Sequence, residues 1–244
     1  MITNEDYFHS NYGFMGHKQT AIDLLRLTIS ILNEFEINHF LISGTLLGHV
    51  RHGDFIPWDD DIDLLVDDSI LTKMDDIVSK YPQINLFHKN VNDSTKICFS
   101  NGMRISENKC VLEWEEVSVR SGQNNYCWPF VDMFVYQTKG AHICPKRDDT
   151  KETFPYMCYT FITNDKMVFF HKIWKSDKFF PPQKVDFLGI QVNIPNDPHY
   201  FLTRNYGTEY MNKVTSSNRS HKMEANIDGV ITIDYDELKN KNKI

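Results

Sequence analysis

A chain of 244 residues, 41% hydrophobic, 24% charged and 13% aromatic, is long enough to bury a substantial core and too apolar to be disordered or fibrous. Its formal net charge of -7 argues against affinity based on a broadly basic face, so no nucleic-acid partner is expected. The N-terminal stretch lacks the basic start and apolar core of a signal peptide, and no apolar run approaches the roughly 18 residues of a membrane span. Cys98, Cys110, Cys127, Cys144 and Cys158 are widely spaced with no CxxC pair. The expectation is a cytoplasmic protein with reduced thiols and no membrane span, organised as one domain over 1–244 with 212–244 as a peripheral C-terminal tail.

From Lys18 to about Ile37, apolar residues recur at Ile22, Leu25, Ile29, Leu32 and Phe35, the spacing of one helical face. The run "HFLIS" at 39–43 reads as a buried strand entering a glycine turn at Ser43-Gly44-Thr45, with His49 and His52 as loop residues beyond it. A second strand, "DIDLLV" at 61–66, precedes a helix from Ser69 to Lys80 that Pro82 terminates. Strands are then predicted at 84–88, 96–100, 110–119 and 129–136, with turns at Gly102 and 121–125. The segment 164–175 reads as a helix, 185–195 as one strand, and 197–207 as a helix with Pro198 in its first turn and Gly207 past its end. These elements define a mixed α/β protein.

Residues 51–68, "RHGDFIPWDDDIDLLVDD", hold seven aspartates in eighteen positions. Side by side, carboxylates raise one another's pKa unless a cation lies between them. Residues i, i+2 and i+4 of a strand share a face, so Asp59, Asp61 and Asp63 are expected to project together. A hard divalent cation suits that oxygen-only set: Mg²⁺, or Mn²⁺, is commonly held by one or two carboxylates plus substrate phosphates. Against it stand a solvated acidic loop and the DxD of a glycosyltransferase that uses a sugar nucleotide. An EF-hand loop starting at Asp59 fails, because Leu64 stands where glycine is needed and Ile70 where a bidentate glutamate is needed.

The order of parts strengthens the metal reading: a strand, a glycine turn with hydroxyl residues that can approach a phosphate, then a strand with paired acids. Ser43, Gly44 and Thr45 are therefore candidate phosphate-binding residues. Asp132, a lone acid in the apolar strand "WPFVDMFVY", is the candidate third ligand, since an unpaired charge there would be expensive; the alternative is an edge-strand aspartate facing solvent. Arg51 either clamps a diphosphate or pairs with a nearby aspartate. Trp58 either packs beneath the acidic strand or offers its face to a base or quaternary ammonium group. Asp59 either orients or deprotonates an attacking hydroxyl, or holds the metal ligands in place.

The stretch "SGTLLGHVRHGDFIPWDDDIDLLV" resembles the signature of the LicD and fukutin-related family of phosphotransferases. "WPFVDMFVY" is similar to that family's third-acid strand, and "VNIPNDPHYFLTRNYGTEYM" to its C-terminal segment, so the likeness extends over residues 18–211. The resemblance implies a nucleotidyltransferase-like mixed β-sheet flanked by helices. It further implies transfer of a phospho-substituted alcohol, such as phosphocholine or ribitol phosphate, from a CDP-activated donor to a glycan hydroxyl. By position, Asp61, Asp63 and Asp132 would be the metal ligands, and Gly44 and Thr45 would line the donor phosphates. Nucleotidyl transfer and a binding module that has lost its chemistry are the alternatives.

Overall fold

A computed structural model of the protein describes residues 13–88, 94–105, 112–113, 127–139, 156–159, 162–163, 166–167, 173–215 and 232–236. Helix α1, Lys18–Glu34, buries Leu25, Ile29 and Leu32 of the predicted stripe together with Ala21 and Leu24, while Ile22 and Phe35 are only partly buried. Strand β1, His39–Leu41, follows and leads directly into helix α2, Ser43–His52. Strand β2 is Ile62–Asp67, helix α3 is Ile70–Lys80, and strands β3 and β4 are Ile84–His88 and Ser94–Ile105. Strands β5, Leu112–Glu113, and β6, Cys127–Lys139, come next.

The main sheet runs β1-β2-β6-β4-β3. Strand β2 is parallel to β6, whereas the β1/β2, β4/β6 and β3/β4 pairs are antiparallel, which makes the sheet mixed. Strand β6 therefore lies between β2 and β4, with neither edge free along the part that carries Asp132. Helix α1 covers β6 and β4, and α2 packs on β2. Every residue of β2 from Ile62 to Val66 is buried, the pattern of a strand covered on both faces. Beyond β6 the sheet continues into β7, Tyr156–Tyr159, and β10, Ile173–Lys175; β8, Ile162–Thr163, pairs with β9, Lys166–Met167. Phe40 joins this sheet to the C-terminal half by edge-on contacts with Phe179 and Phe180, at 5.4 and 5.3 Å between ring centroids.

Several elements differ from expectation. The glycine turn at 43–45 and the loop carrying His49 and His52 are together α2. Two glycines lower its intrinsic propensity, but burial of Leu46 and Leu47 outweighs them. The helix expected over 164–175 is contradicted by β9 and β10 at its two ends; Ile173 and Trp174 belong to the residue types that favour a pleated surface. The single strand at 185–195 is instead a hairpin of β11, Gln183–Phe187, and β12, Ile190–Ile194. Its two-residue turn needs positive φ at both positions, and Leu188 and Gly189 adopt 57° and 73°. Most of the strand expected at 110–119, and the turn at 121–125, lie outside the described residues. Within the C-terminal segment, β13, Lys213–Thr215, pairs with β14, Thr232–Asp234.

Helix α4, Pro198–Tyr206, begins and ends as the sequence suggests, with Pro198 in the first turn and Gly207 after the last. Asp197 caps it by accepting the Tyr200 N–H at 2.9 Å, and its other oxygen accepts from Lys178 at 3.0 Å. Burial alone would raise the Asp197 pKa, but the Tyr200 N–H and the Lys178 ammonium outweigh it and hold the carboxyl below its ordinary value of 3.8. A depressed carboxyl stabilises the fold above its unfolded pKa and ceases to do so as pH falls through the folded one. Asp197→Ala should therefore cost about 1 kcal/mol at neutral pH, and Asp197→Asn less. Urea denaturation from pH 7 down to pH 3 should show the Asp197→Ala deficit narrowing below the 3.8 reference value.

Candidate active site

The site forms where β1 ends, α2 begins and β2 passes beneath them. Asp63 is fixed there on three sides: its N–H donates to Thr45 Oγ1 at 2.8 Å, its carbonyl accepts from Ile42 N at 3.2 Å, and its Oδ2 accepts from Gly44 N at 3.3 Å. A carboxylate at the first amides of a helix is favoured by the unpaired N–H groups and the positive end of the helix dipole. Ser43, the first residue of α2, has φ of 49°, and such strained non-glycine backbone tends to collect at functional sites. An ideal Cβ on Gly44 would lie 2.2 Å from Asp59 Oδ2, so glycine is what allows the Asp59 carboxylate to lie against the helix start.

Asp63 and Asp132 are register partners across the parallel β2/β6 pair, and Asp61 lies just before β2. Asp61, Asp63 and Asp132 each present a carboxylate oxygen, and these three oxygens lie within 4.8 Å of one another. All three residues are nearly enclosed, with exposures of 9%, 8% and 6%. In an octahedral Mg²⁺ site adjacent oxygens are about 3.0 Å apart and opposite ones about 4.2 Å, so the set can hold one hard cation if the three carboxylates draw together around it. The ligand set contains neither imidazole nor thiol, which favours Mg²⁺ or Mn²⁺ over softer metals. At an effective dielectric of 20, two carboxylates this close repel by roughly 3 kcal/mol per pair, so a cation here would relieve a considerable strain.

The other candidate residues are arranged around this centre. Asp59 precedes the strand instead of alternating along it. Desolvation, followed by the charges of Asp61, Asp63 and Asp60, pushes its pKa well above the carboxylate range. Thr45 is buried and uses its hydroxyl oxygen to hold Asp63. Trp58 is also buried, edge-on to His52 at 5.8 Å between ring centroids, as its packing alternative requires. Arg51 donates from Nη1 to the carbonyls of Tyr210 and Lys213 at 2.8 and 3.3 Å, and its guanidinium lies 5.2 Å from the Tyr235 ring centroid. Arg51 Nε donates to His52 Nε2 at 3.1 Å, which leaves the His52 proton on Nδ1, facing Tyr235 Oη at 3.0 Å. Tyr235, from the segment read as a peripheral tail, is thus packed on α2. His49 lies edge-on to Phe187, 5.6 Å between centroids, and desolvation lowers its pKa.

Two residues at the centre have no role in the sequence reading beyond the elements that carry them. Tyr206 ends α4 near the acids and, although 45% exposed as a residue, has its phenol pKa raised by desolvation and then by the charges of Asp63, Asp59 and Asp61, so it keeps its proton at neutral pH. No local motif distinguishes it from any helix-ending tyrosine. Lys96 is ion-paired with Asp132. As the sole charged residue of "KICFS", it could have been found by the same argument that singled out Asp132.

A sequence profile described as LicD/FKTN/FKRP, nucleotidyltransferase domain, matches residues 36–197, which is most of the chain and all three clustered acids. The chain belongs to this LicD/FKTN/FKRP family. An uncharacterized protein of Rickettsia typhi is 27% identical over 183 residues, covering 75% of this chain and 44% of its own. The lipopolysaccharide cholinephosphotransferase LicD of Haemophilus influenzae is 42% identical over 44 residues, 18% of this chain and 17% of its own. The human ribitol 5-phosphate transferase FKRP is 46% identical over 39 residues, 16% of this chain and 8% of its own. The chain thus spans less than half the length of these curated relatives. No helix among the described residues is long and apolar enough to cross a membrane.

If the three acids form a cation site, millimolar Mg²⁺ or Mn²⁺ should raise the melting temperature without any nucleotide, through preferential binding to the folded state. In Asp63→Asn the metal-induced rise should be lost while the circular dichroism spectrum is retained. An equal rise in parent and variant, followed by differential scanning fluorimetry, would refute the site.

Proposed function

We propose that this LicD/FKTN/FKRP-family protein is a metal-dependent transferase that moves a phospho-alcohol from a CDP-activated donor to a glycan hydroxyl. The observation that carries the reading is the convergence of Asp61, Asp63 and Asp132 oxygens within 4.8 Å, beside the N-terminus of α2. The names of the two functionally described relatives support the class of group transferred: one is a cholinephosphotransferase, the other a ribitol 5-phosphate transferase.

In this reading, Asp61, Asp63 and Asp132 hold Mg²⁺ or Mn²⁺, which supplies charge neutralisation at the donor diphosphate. The start of α2, with Ser43 and Gly44, faces the donor's anionic end and adds the positive pole of a helix. The acceptor hydroxyl oxygen attacks the phosphorus that bears the alcohol. A new P–O bond forms, the anhydride bond to the other phosphorus breaks, and CMP leaves. Asp59, a carboxyl outside the metal set that lies against the start of α2, can orient the acceptor hydroxyl or take its proton. Tyr206, a retained phenol near the same acids, can donate a hydrogen bond to a developing negative charge. Thr45 supports the centre from behind by holding the Asp63 backbone.

Incubation with a panel of CDP-alcohols, Mg²⁺ and candidate glycans should release CMP. Asp61→Asn and Asp63→Asn should remain folded and lose at least a hundredfold in rate, the usual loss when one strong transition-state contact is removed. Gly44→Ala should also slow turnover, because the added methyl displaces the Asp59 carboxylate. Release of pyrophosphate from a nucleoside triphosphate, with no CMP from any CDP-alcohol, would instead establish a nucleotidyltransferase.

A further inference from the structure

Three charged side chains form one row across the middle of the sheet. Asp63 on β2 is the register partner of Asp132 on β6, and Asp132 is the register partner of Lys96 on β4. Directly opposed residues of neighbouring strands share a face, so the row reads carboxylate, carboxylate, ammonium. Lys96 Nζ is paired with Asp132 Oδ1 and lies 3.9 Å from the ring centroid of Phe130, two residues before Asp132 on the same strand. Its side chain is 19% exposed and that of Asp132 8%. The sheet thus holds a fixed positive charge on the carboxylate that is also the third member of the acidic triad.

A divalent cation bound to Asp132 would lie about 5 Å from that ammonium, since a Mg²⁺–oxygen bond is about 2.1 Å and a charge-assisted hydrogen bond about 2.8 Å. Charges of +2 and +1 at that distance repel enough to weaken binding by about tenfold even at the dielectric of bulk water. The repulsion is removed if Lys96 turns toward an anion, and its flexible four-carbon stem permits that movement.

We propose that Lys96 is a positioning residue that weakens the cation site until an anionic diphosphate is present. Without the diphosphate, Lys96 neutralises Asp132 and opposes the divalent cation. When the diphosphate enters, its oxygens offset both positive charges, Lys96 moves from Asp132 to it, and cation and donor bind cooperatively. The inference rests on Asp61, Asp63 and Asp132 being a cation site, and adds to that reading an ordering of metal and donor.

Mn²⁺ affinity measured by electron paramagnetic resonance, with and without CDP, tests it. Lys96→Met and Lys96→Gln remove the charge while keeping most of the stem over Phe130; both should bind Mn²⁺ about tenfold more tightly than the parent in the absence of CDP. The tightening produced by CDP should be large in the parent and less than threefold in these variants. The comparison between proteins cancels chelation of Mn²⁺ by CDP itself. Lys96→Arg, which keeps the charge, should bind Mn²⁺ as weakly as the parent. Neutral variants that bind Mn²⁺ no more tightly than the parent would overturn the proposal while leaving the cation site intact. Absence of Mn²⁺ binding in parent and variants alike would instead overturn the underlying reading. If neither neutral variant folds, the ¹⁵Nζ resonance of Lys96 in the parent decides: it should shift further with Mg²⁺ and CDP together than with Mg²⁺ alone, and a resonance that CDP does not move beyond its position with Mg²⁺ would overturn the proposal.

Discussion

Mutual repulsion among carboxylates in a nearly closed space is the constraint on which the rest of this structure depends. Asp61, Asp63 and Asp132 are each less than a tenth exposed, and Asp59 lies against them with its pKa driven upward. Such a group would disperse unless its surroundings held it, because each charge is both desolvated and crowded. The fold responds with several devices directed at one point. The β1–α2 corner bonds the Asp63 backbone twice and its carboxylate once, the α2 dipole faces the acids, and Lys96 sits on Asp132. The arrangement remains short of positive charge, the deficit that the proposed divalent cation would fill.

The sheet order explains how acids distant in sequence come together. A parallel β2/β6 pair places Asp63 opposite Asp132 without any turn between them, and the antiparallel β4 then brings Lys96 to the other side of Asp132. Because register in a buried strand is fixed by its apolar residues, Ile62, Leu64 and Val131 set the acid geometry as firmly as the acids themselves. A one-residue slip of β6 would turn Asp132 to the opposite face. The apolar packing and the geometry of the acidic cluster are therefore one specification.

Much of this was legible in the sequence, for identifiable reasons. Asp61, Asp63 and Asp132 stand out because charge inside apolar runs violates the ordinary pattern of a strand, and such violations tend to mark functional sites. Helices α1, α3 and α4 were readable from periodicity and from their proline and glycine ends. The α2 helix was not, because "SGTLLGHVRH" carries two glycines where local propensity speaks for a turn, and the burial that makes it helical is a tertiary fact. The β11/β12 hairpin was missed because Leu188 adopts a left-handed conformation that its residue type disfavours. Arg51 could not be assigned locally either, since its partners at Tyr210, Lys213 and Tyr235 lie in another part of the chain.

Those distant partners bear on how the site is held. The family match ends at residue 197, yet Tyr206 lies near the acids at the C-terminal end of α4, and Arg51, the penultimate residue of α2, is bonded to the backbone just beyond α4. The acidic centre is therefore bounded on one side by a segment outside the matched region. Arg51 makes that boundary specific: its Nη1 donates to the carbonyls of Tyr210 and Lys213, its Nε to His52, and its face lies over Tyr235, so these contacts tie α2 to Tyr210, Lys213 and Tyr235. A guanidinium held in this way still projects positive charge toward Asp59, as the electrostatic coupling between them indicates. It can thus influence the carboxylates through space while its hydrogen bonds anchor the C-terminal segment. Both sequence alternatives for Arg51, diphosphate clamp and aspartate partner, call for a direct contact, whereas the hydrogen bonds seen from Nη1 and Nε go to backbone carbonyls and His52, and its field is what it contributes to the acids here.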